Sequence, residues 1–125
     1  MVTAAARFRG ILLRMSVPPP LRVIDAAELF AVDVNRVLKS QAKPVTYSEQ
    51  VKRAVGSIAA NLVEGLNRGP GADRINRYRI AKSECEEVLS WLRDLYKLGE
   101  IAAKDFFRLS NRGIVISRMI TALIG

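Results

Sequence analysis

The sequence predicts an all-α protein, an up-down-up-down antiparallel four-helix bundle. Three observations lead to this prediction. Apolar residues recur at steps of three and four in four separate segments, no strand-like alternation interrupts them, and the connections between them are short. With 125 residues, half of them apolar, the chain is long enough for one domain with a single core.

Residues 1–20 differ from the rest and are predicted to form an extension outside the bundle, which would occupy residues 21–125. The extension is basic, and no acidic residue precedes Asp25. Prolines at 18–20 would stop a helix and set an extended link. Three interpretations stay open for this stretch: disorder, a helical arm that docks on a partner, or translation that starts instead at Met15.

The first helix is predicted from about Leu21 to Lys39 or Gln41. Its apolar seam alternates steps of four and three, as the seam of a bundle helix does: Val23, Ala27, Phe30, Val34 and Val37. Charged side chains off this seam are expected to face water: Arg22, Asp25, Asp33 and Arg36.

The second helix organises the bundle, because it combines a wide apolar face with a narrow polar stripe. It is predicted to begin after Thr46, which would form a capping box with Glu49, and to end near Gly65. At about 100° per residue, the polar stripe spans roughly 80° and contains Gln50, Arg53, Ser57, Asn61, Glu64 and Arg68. The stripe is a solvated face, a polar seam between helices, or a ligand or nucleic-acid site. Small residues, among them Gly56 and Gly65, would let a neighbour approach closely.

The third helix is predicted from an N-cap at Asp73 to about Leu98, and Gly99 is the expected stop. Its seam consists of Tyr78, Ala81, Cys85, Val88, Leu92 and Leu95. The fourth helix spans roughly Ala103 to Ile124. Its seam consists of Phe106, Leu109, Gly113, Ile116, Ile120 and Leu123.

Three blocks of residues carry a resemblance to a known family. The first contains Gln50, Arg53, Ala54, Ser57, Ile58, Asn61, Glu64 and Gly65, and the second contains Ala81, Glu84, Cys85, Glu87, Trp91, Leu92, Leu95, Tyr96, Gly99 and Ile101; the third is the run from Ser117 to Ile124. They resemble the small bacterial four-helix bundle proteins of the 23S rRNA intervening-sequence protein family, over about Leu21 to Gly125. The resemblance implies a closed homo-oligomeric ring, with five subunits in relatives.

The composition bounds the function. Twenty Lys and Arg against twelve Asp and Glu give a net charge of +8, which favours a polyanionic partner, nucleic acid before an anionic membrane surface. No uncharged run is long enough to span a bilayer, and we expect no membrane partner. A single cysteine permits no internal disulfide and fits the cytoplasm. Without histidine, a metal-ligand cluster or a nucleophile motif, we expect neither enzymatic activity nor a metal or cofactor.

The candidate nucleic-acid contacts surround the second connection and the start of the third helix: Arg68, Arg74, Arg77, Arg79 and Lys82, with Lys52 and Arg53 on the second helix added. They would neutralise phosphates without reading base sequence, so affinity should fall steeply with salt. A solvated positive face is the alternative. We also expect Arg53 to pair with Glu64, Glu84 or Glu87 across the bundle.

The first functional hypothesis is a non-enzymatic, basic, oligomeric bundle that binds nucleic acid. The family name favours RNA. Bundles similar to this family also serve as the accessory protein of a reverse transcriptase in diversity-generating retroelements, so the resemblance implies a reverse transcriptase as a further partner. The alternative is a protein scaffold with no direct nucleic-acid role. Apolar residues off the seams predict a homo-oligomer: Ile80, Leu89, Trp91, Leu98, Ile114, Val115 and Met119.

Overall fold

The computed structural model describes residues 17–125, and this part of the chain contains four α-helices and no strand. The helices are α1 (Pro19–Lys39), α2 (Ser48–Asn67), α3 (Ala72–Lys97) and α4 (Ala103–Ile124). Each helix packs on the next along the chain, and α1 packs on α4, which closes the bundle. The prediction of an all-α four-helix protein is confirmed. The N-terminal extension is predicted over residues 1–20. Its residues 1–16 lie outside the described residues, so the interpretations offered for it stay predictions.

The predicted apolar seams form the core. Every predicted seam residue of α1 and α3 is buried, and α4 buries its seam except for half-buried Phe106 and Leu123. Cys85 is fully buried, and its Sγ donates to the backbone oxygen of Gly113 at 3.2 Å. Burial raises the pKa of the Cys85 thiol to about 12, so the thiol is neutral at physiological pH and acts as an apolar core group.

Helix α1 begins two residues before its predicted start. Pro18 is the extended N-cap residue, and the helix begins at Pro19 rather than Leu21. Prolines at the first helical positions remove no helical hydrogen bond, because the N–H groups of a first turn have no partner inside the helix. Pro19 and Pro20 therefore belong to the first helix and do not form an extended link before it.

Two predicted N-caps are wrong. The N-cap of α2 is Tyr47, in the left-handed conformation with φ 61°. Thr46 bonds elsewhere: its backbone N–H and its Oγ1 both donate to Oε1 of Glu100, at 3.1 and 2.9 Å. A tertiary partner thus replaces the capping box and ties the α1–α2 loop to the α3–α4 turn. The N-cap of α3 is Gly71, and Asp73 lies in the first turn instead, where its charge favours the helix dipole.

Asp33 does not face water as predicted. It is the only charged residue buried in the described part of the chain, at 8% exposure. Its carboxylate accepts hydrogen bonds from Nη1 of Arg108 and Nη1 of Arg112 on α4. This contact raises the pKa of the Arg108 guanidinium above its ordinary value. Asp33 therefore clasps α1 to α4 by charge-assisted hydrogen bonds.

Helices α2 and α3 approach each other closely at Gly65. A Cβ atom at this position would lie 2.9 Å from Cε1 of Tyr78 and 3.1 Å from Cβ of Arg77. Gly56 differs, because a Cβ atom there would meet nothing within 4 Å. Of these two small residues of α2, only Gly65 is required by helix packing.

Candidate nucleic-acid interface

Two arginines of the predicted cluster are engaged within the fold. The side chain of Arg74 donates to the backbone oxygens of Gly65 and Leu66, from Nε at 3.1 Å and from Nη2 at 2.7 Å. It thereby satisfies carbonyl groups in the last turn of α2. Nη1 of Arg77 donates to Oδ1 of Asn61 at 3.3 Å. Both side chains are half-buried. Their hydrogen bonds connect the start of α3 to the end of α2.

Other predicted cations pair with a carboxylate about one turn away on their own helix. The pairs are Arg68 with Glu64 at 2.8 Å, Lys52 with Glu49 at 3.7 Å, and Lys82 with Glu86 at 4.0 Å. Such exposed pairs contribute little to stability and are readily exchanged for another anion. Arg79 is exposed and forms no ion pair with a described residue.

Arg53 pairs across the bundle as predicted, with two of the three proposed partners. Its Nη2 lies 3.1 Å from Oε1 of Glu87, and its Nη1 lies 3.8 Å from Oε2 of Glu84. Nε1 of Trp91 also donates to Glu87, at 3.3 Å. Burial and the neighbouring Glu87 raise the pKa of the Glu84 carboxyl. In this region the polar stripe of α2 is a seam between helices, and Glu64 is occupied by Arg68 instead.

A basic stripe runs along the other flank of α3. It consists of Arg79, Lys82, Arg93 and Lys97. At 100° and 1.5 Å per residue, these positions fall within an arc of about 60° and span about 27 Å. Glu86 is the acidic residue inside the same arc, and it pairs with Lys82. The stripe therefore carries an excess of positive charge along most of the helix.

The basic stripe lies on the side of α3 that packs against α4. Leu89, on the same side of α3, packs so closely on α4 that a Cβ atom at Gly113 would lie 2.7 Å from its Cδ2. Tyr96 stacks on Phe106 of α4. Helix α4 adds two exposed cations, Lys104 and Arg118, that form no ion pair within residues 17–125. Exposed cations that form no ion pair with a described residue therefore occur on both of these packed helices.

The sequence predicts one end of the basic stripe and not the other. Arg79 and Lys82 are among the predicted contacts, whereas Arg93 and Lys97 are not. The density of cations along the chain favours residues 68–82. Helical spacing carries the missing signal, because Lys82, Glu86, Arg93 and Lys97 recur at steps that return to one face.

These features define a class of protein: a basic, all-α four-helix bundle with a positively charged flank. The family model described as 23S rRNA-intervening sequence protein matches residues 20–122. The chain therefore belongs to this family, and the resemblance carried by the three sequence blocks is confirmed.

One solved structure supports the fold. It is the crystal structure of a protein of unknown function from the S23 ribosomal protein family of Bacteroides thetaiotaomicron. The two chains are 27% identical with a TM-score of 0.78, and the match covers 86% of this chain and 98% of the other. No curated protein matches the sequence. Across the described residues, none of the helices has the length and apolar character needed to cross a bilayer.

Proposed function

We propose that this protein is a non-enzymatic, homo-oligomeric bundle that binds nucleic acid through the basic stripe, with RNA as the favoured ligand, in the cytoplasm. The observation that carries the proposal is the stripe itself. Arg79, Arg93 and Lys97 are exposed and form no ion pair with a described residue, so their charges are available to a polyanion. RNA is favoured because the family description names an rRNA sequence.

The test neutralises the unpaired part of the stripe. In the triple variant Arg79→Gln, Arg93→Gln and Lys97→Gln, three phosphate contacts are lost. We expect weaker binding to single-stranded RNA, and a slope of log affinity against log salt that is shallower by about 2, at about 0.7 per phosphate. Fluorescence anisotropy at several salt concentrations measures both quantities.

The matched control removes the same net charge elsewhere. Arg36, Lys39 and Lys43 are exposed, lie at the end of α1 and in its following loop, and form no ion pair within residues 17–125. Their replacement by Gln should leave the salt slope almost unchanged. Equal losses in the two triple variants would mean that net charge alone attracts RNA. A wild-type protein that binds no nucleic acid would favour the scaffold alternative.

Self-association is the second part of the proposal, and the α1–α4 face supports it. Leu29 on α1 and Val115 on α4 are both 53% exposed. Between the two helices lie open grooves of about 260 Å³ and 390 Å³, and Met119 lines both of them. Exposed apolar surface of this kind is typical of an interface.

We expect the wild-type protein to be a homo-oligomer, with five subunits as the favoured number, and Val115→Glu to lower its mass in light scattering. A charge buried in the interface would cost several kcal/mol per subunit contact, on the order of the desolvation penalty of an unpaired ion. Val63→Glu is the control, because Val63 is 39% exposed, lies on α2 and lines neither groove. A monomeric wild type at micromolar concentration would contradict the prediction.

The accessory role to a reverse transcriptase is a narrower form of this proposal. It keeps RNA binding by the basic stripe and adds a protein partner. A reverse-transcriptase gene beside the gene for this protein, followed by co-purification of the two products, would support it. An intact RNA-binding activity with no such partner would leave only the broader form.

A further inference from the structure

Three aromatic rings cluster where α3 turns into α4, beside one end of the basic stripe. The rings of Tyr96 and Phe106 are stacked, with centroids 4.5 Å apart and planes inclined by 12°. Phe107 meets both rings at a tilt, at 5.2 Å from Phe106 and 6.0 Å from Tyr96. Phe107 is 57% exposed and Tyr96 is 37% exposed. We call Tyr96, Phe106 and Phe107 the aromatic surface.

The backbone holds the aromatic surface in place. Gly99 adopts φ 75°, the left-handed conformation that ends α3. The backbone N–H of Glu100 donates to the oxygen of Leu95 at 2.9 Å, which closes this turn. Because Tyr96 lies in the last turn of α3 and Phe107 in the second turn of α4, their positions follow from the helix packing. Phe107 thus presents a positioned ring to solvent, although its burial would have been favourable.

The charges around the aromatic surface are mainly positive. Arg93 and Lys97 flank Tyr96 on α3, and Lys104 lies one turn before Phe107 on α4; all three are exposed and form no ion pair within residues 17–125. Among the nearby acids, Asp105 pairs with Arg108 at 3.4 Å. A second nearby carboxylate, that of Glu100, accepts the hydrogen bonds from Thr46. Asp94 lies on the opposite side of α3 from Tyr96 by helical geometry.

We propose that the aromatic surface stacks against an unpaired base of a single-stranded nucleic acid, whose phosphates contact Arg93, Lys97 and Lys104. The proposal rests on the proposed nucleic-acid function and narrows its ligand to single strands. A flat aromatic ring offers a π-face to any base but no pattern of donors and acceptors, so it binds bases without reading sequence. Bases inside a duplex are already stacked on both sides, so an exposed Phe107 gains this contact only with an unpaired base.

The experiment compares two substitutions of Phe107 that differ in aromaticity. Phe107→Leu keeps an apolar side chain but removes the ring, and Phe107→Tyr keeps the ring. The probes are oligouridylate and a duplex RNA of equal length, measured by fluorescence anisotropy. We expect Phe107→Leu to weaken oligouridylate binding by about 5- to 150-fold, the range of one lost stacking contact. Duplex binding and the salt slope should stay the same, and Phe107→Tyr should bind as the wild type does.

The control is Leu98→Ala, which removes an equally exposed apolar side chain, 58% exposed, from the same turn. It should leave both affinities unchanged. A wild type that binds neither RNA contradicts the proposed function as a whole. A wild type that binds both RNAs, together with an unchanged Phe107→Leu variant, overturns only the stacking proposal. A Phe107→Leu variant of lower oligomer mass in light scattering would also overturn it, since the rings would then be an interface between copies of the chain.

Discussion

Replacing Gly65 by alanine should destabilise the protein, although alanine is the better helix former. The added Cβ would lie 2.9 Å from Cε1 of Tyr78 and 3.1 Å from Cβ of Arg77. Tyr78 is 2% exposed, so its ring has no free space to enter. Overpacking typically costs about 1–3 kcal/mol, and the gain in helix propensity offsets about 1 kcal/mol. We expect a net loss of up to about 2 kcal/mol, measured by urea denaturation at a fixed protein concentration.

Gly56→Ala is the matched control for this prediction. It lies in the interior of the same helix, it is exposed, and a Cβ atom there would meet nothing within 4 Å. The substitution should therefore stabilise the protein by about 0.5–1 kcal/mol, the ordinary advantage of alanine over glycine in a helix. If both alanine variants were equally stabilised, the close approach of α2 and α3 at Gly65 would be contradicted.

Replacing Asp33 by asparagine should cost about 2–3 kcal/mol. The amide keeps the shape of the side chain but removes the charge that Arg108 and Arg112 contact. Hydrogen bonds to charged groups contribute about 1.5–3 kcal/mol each, and the arginines, at 46% and 41% side-chain exposure, recover part of this by hydration. Urea denaturation monitored by circular dichroism measures the loss.

Asp25→Asn provides the comparison for Asp33. Asp25 lies on the same helix, is exposed and forms no ion pair within residues 17–125, so its substitution should change stability by less than about 0.5 kcal/mol. Arg112 also lines a groove of the α1–α4 face, and oligomer mass must therefore be compared between the two variants. Equal stability of the two variants at equal mass would show that the clasp contributes nothing.

The sequence was sufficient for those parts of the fold that depend on local periodicity. The bounds of α4, Ala103 to Ile124, agree with the prediction, because Gly99 marks the end of α3 just before this segment and a regular apolar seam runs through it. The predictions that failed each depended on a distant partner. Thr46 is predicted to cap α2, but its N–H and its Oγ1 both donate to Glu100 instead. The spacing around Asp33 carries no information about two arginines on α4.

In the candidate site, too, local patterns in the sequence are predictive and contacts with distant residues are not. Cations that are dense along the chain were found from the sequence, yet Arg74 and Arg77 bond within the α2–α3 corner. The basic stripe required the helical phase of Arg93 and Lys97, and the aromatic surface required the packing of α3 on α4. The composition gives only the total number of cations. The residues that pack around each cation determine whether it is available to a ligand.

The clasp at Asp33 also affects the unfolding rate of the protein. It joins residues 75 and 79 positions apart in the chain and belongs to the packing of α1 on α4, whereas the contacts between consecutive helices connect neighbours across short turns. Contacts between distant segments require the largest loop closure, and they form after the local hairpins have reduced that loop. We therefore expect loss of the clasp to accelerate unfolding and to leave the folding rate nearly unchanged.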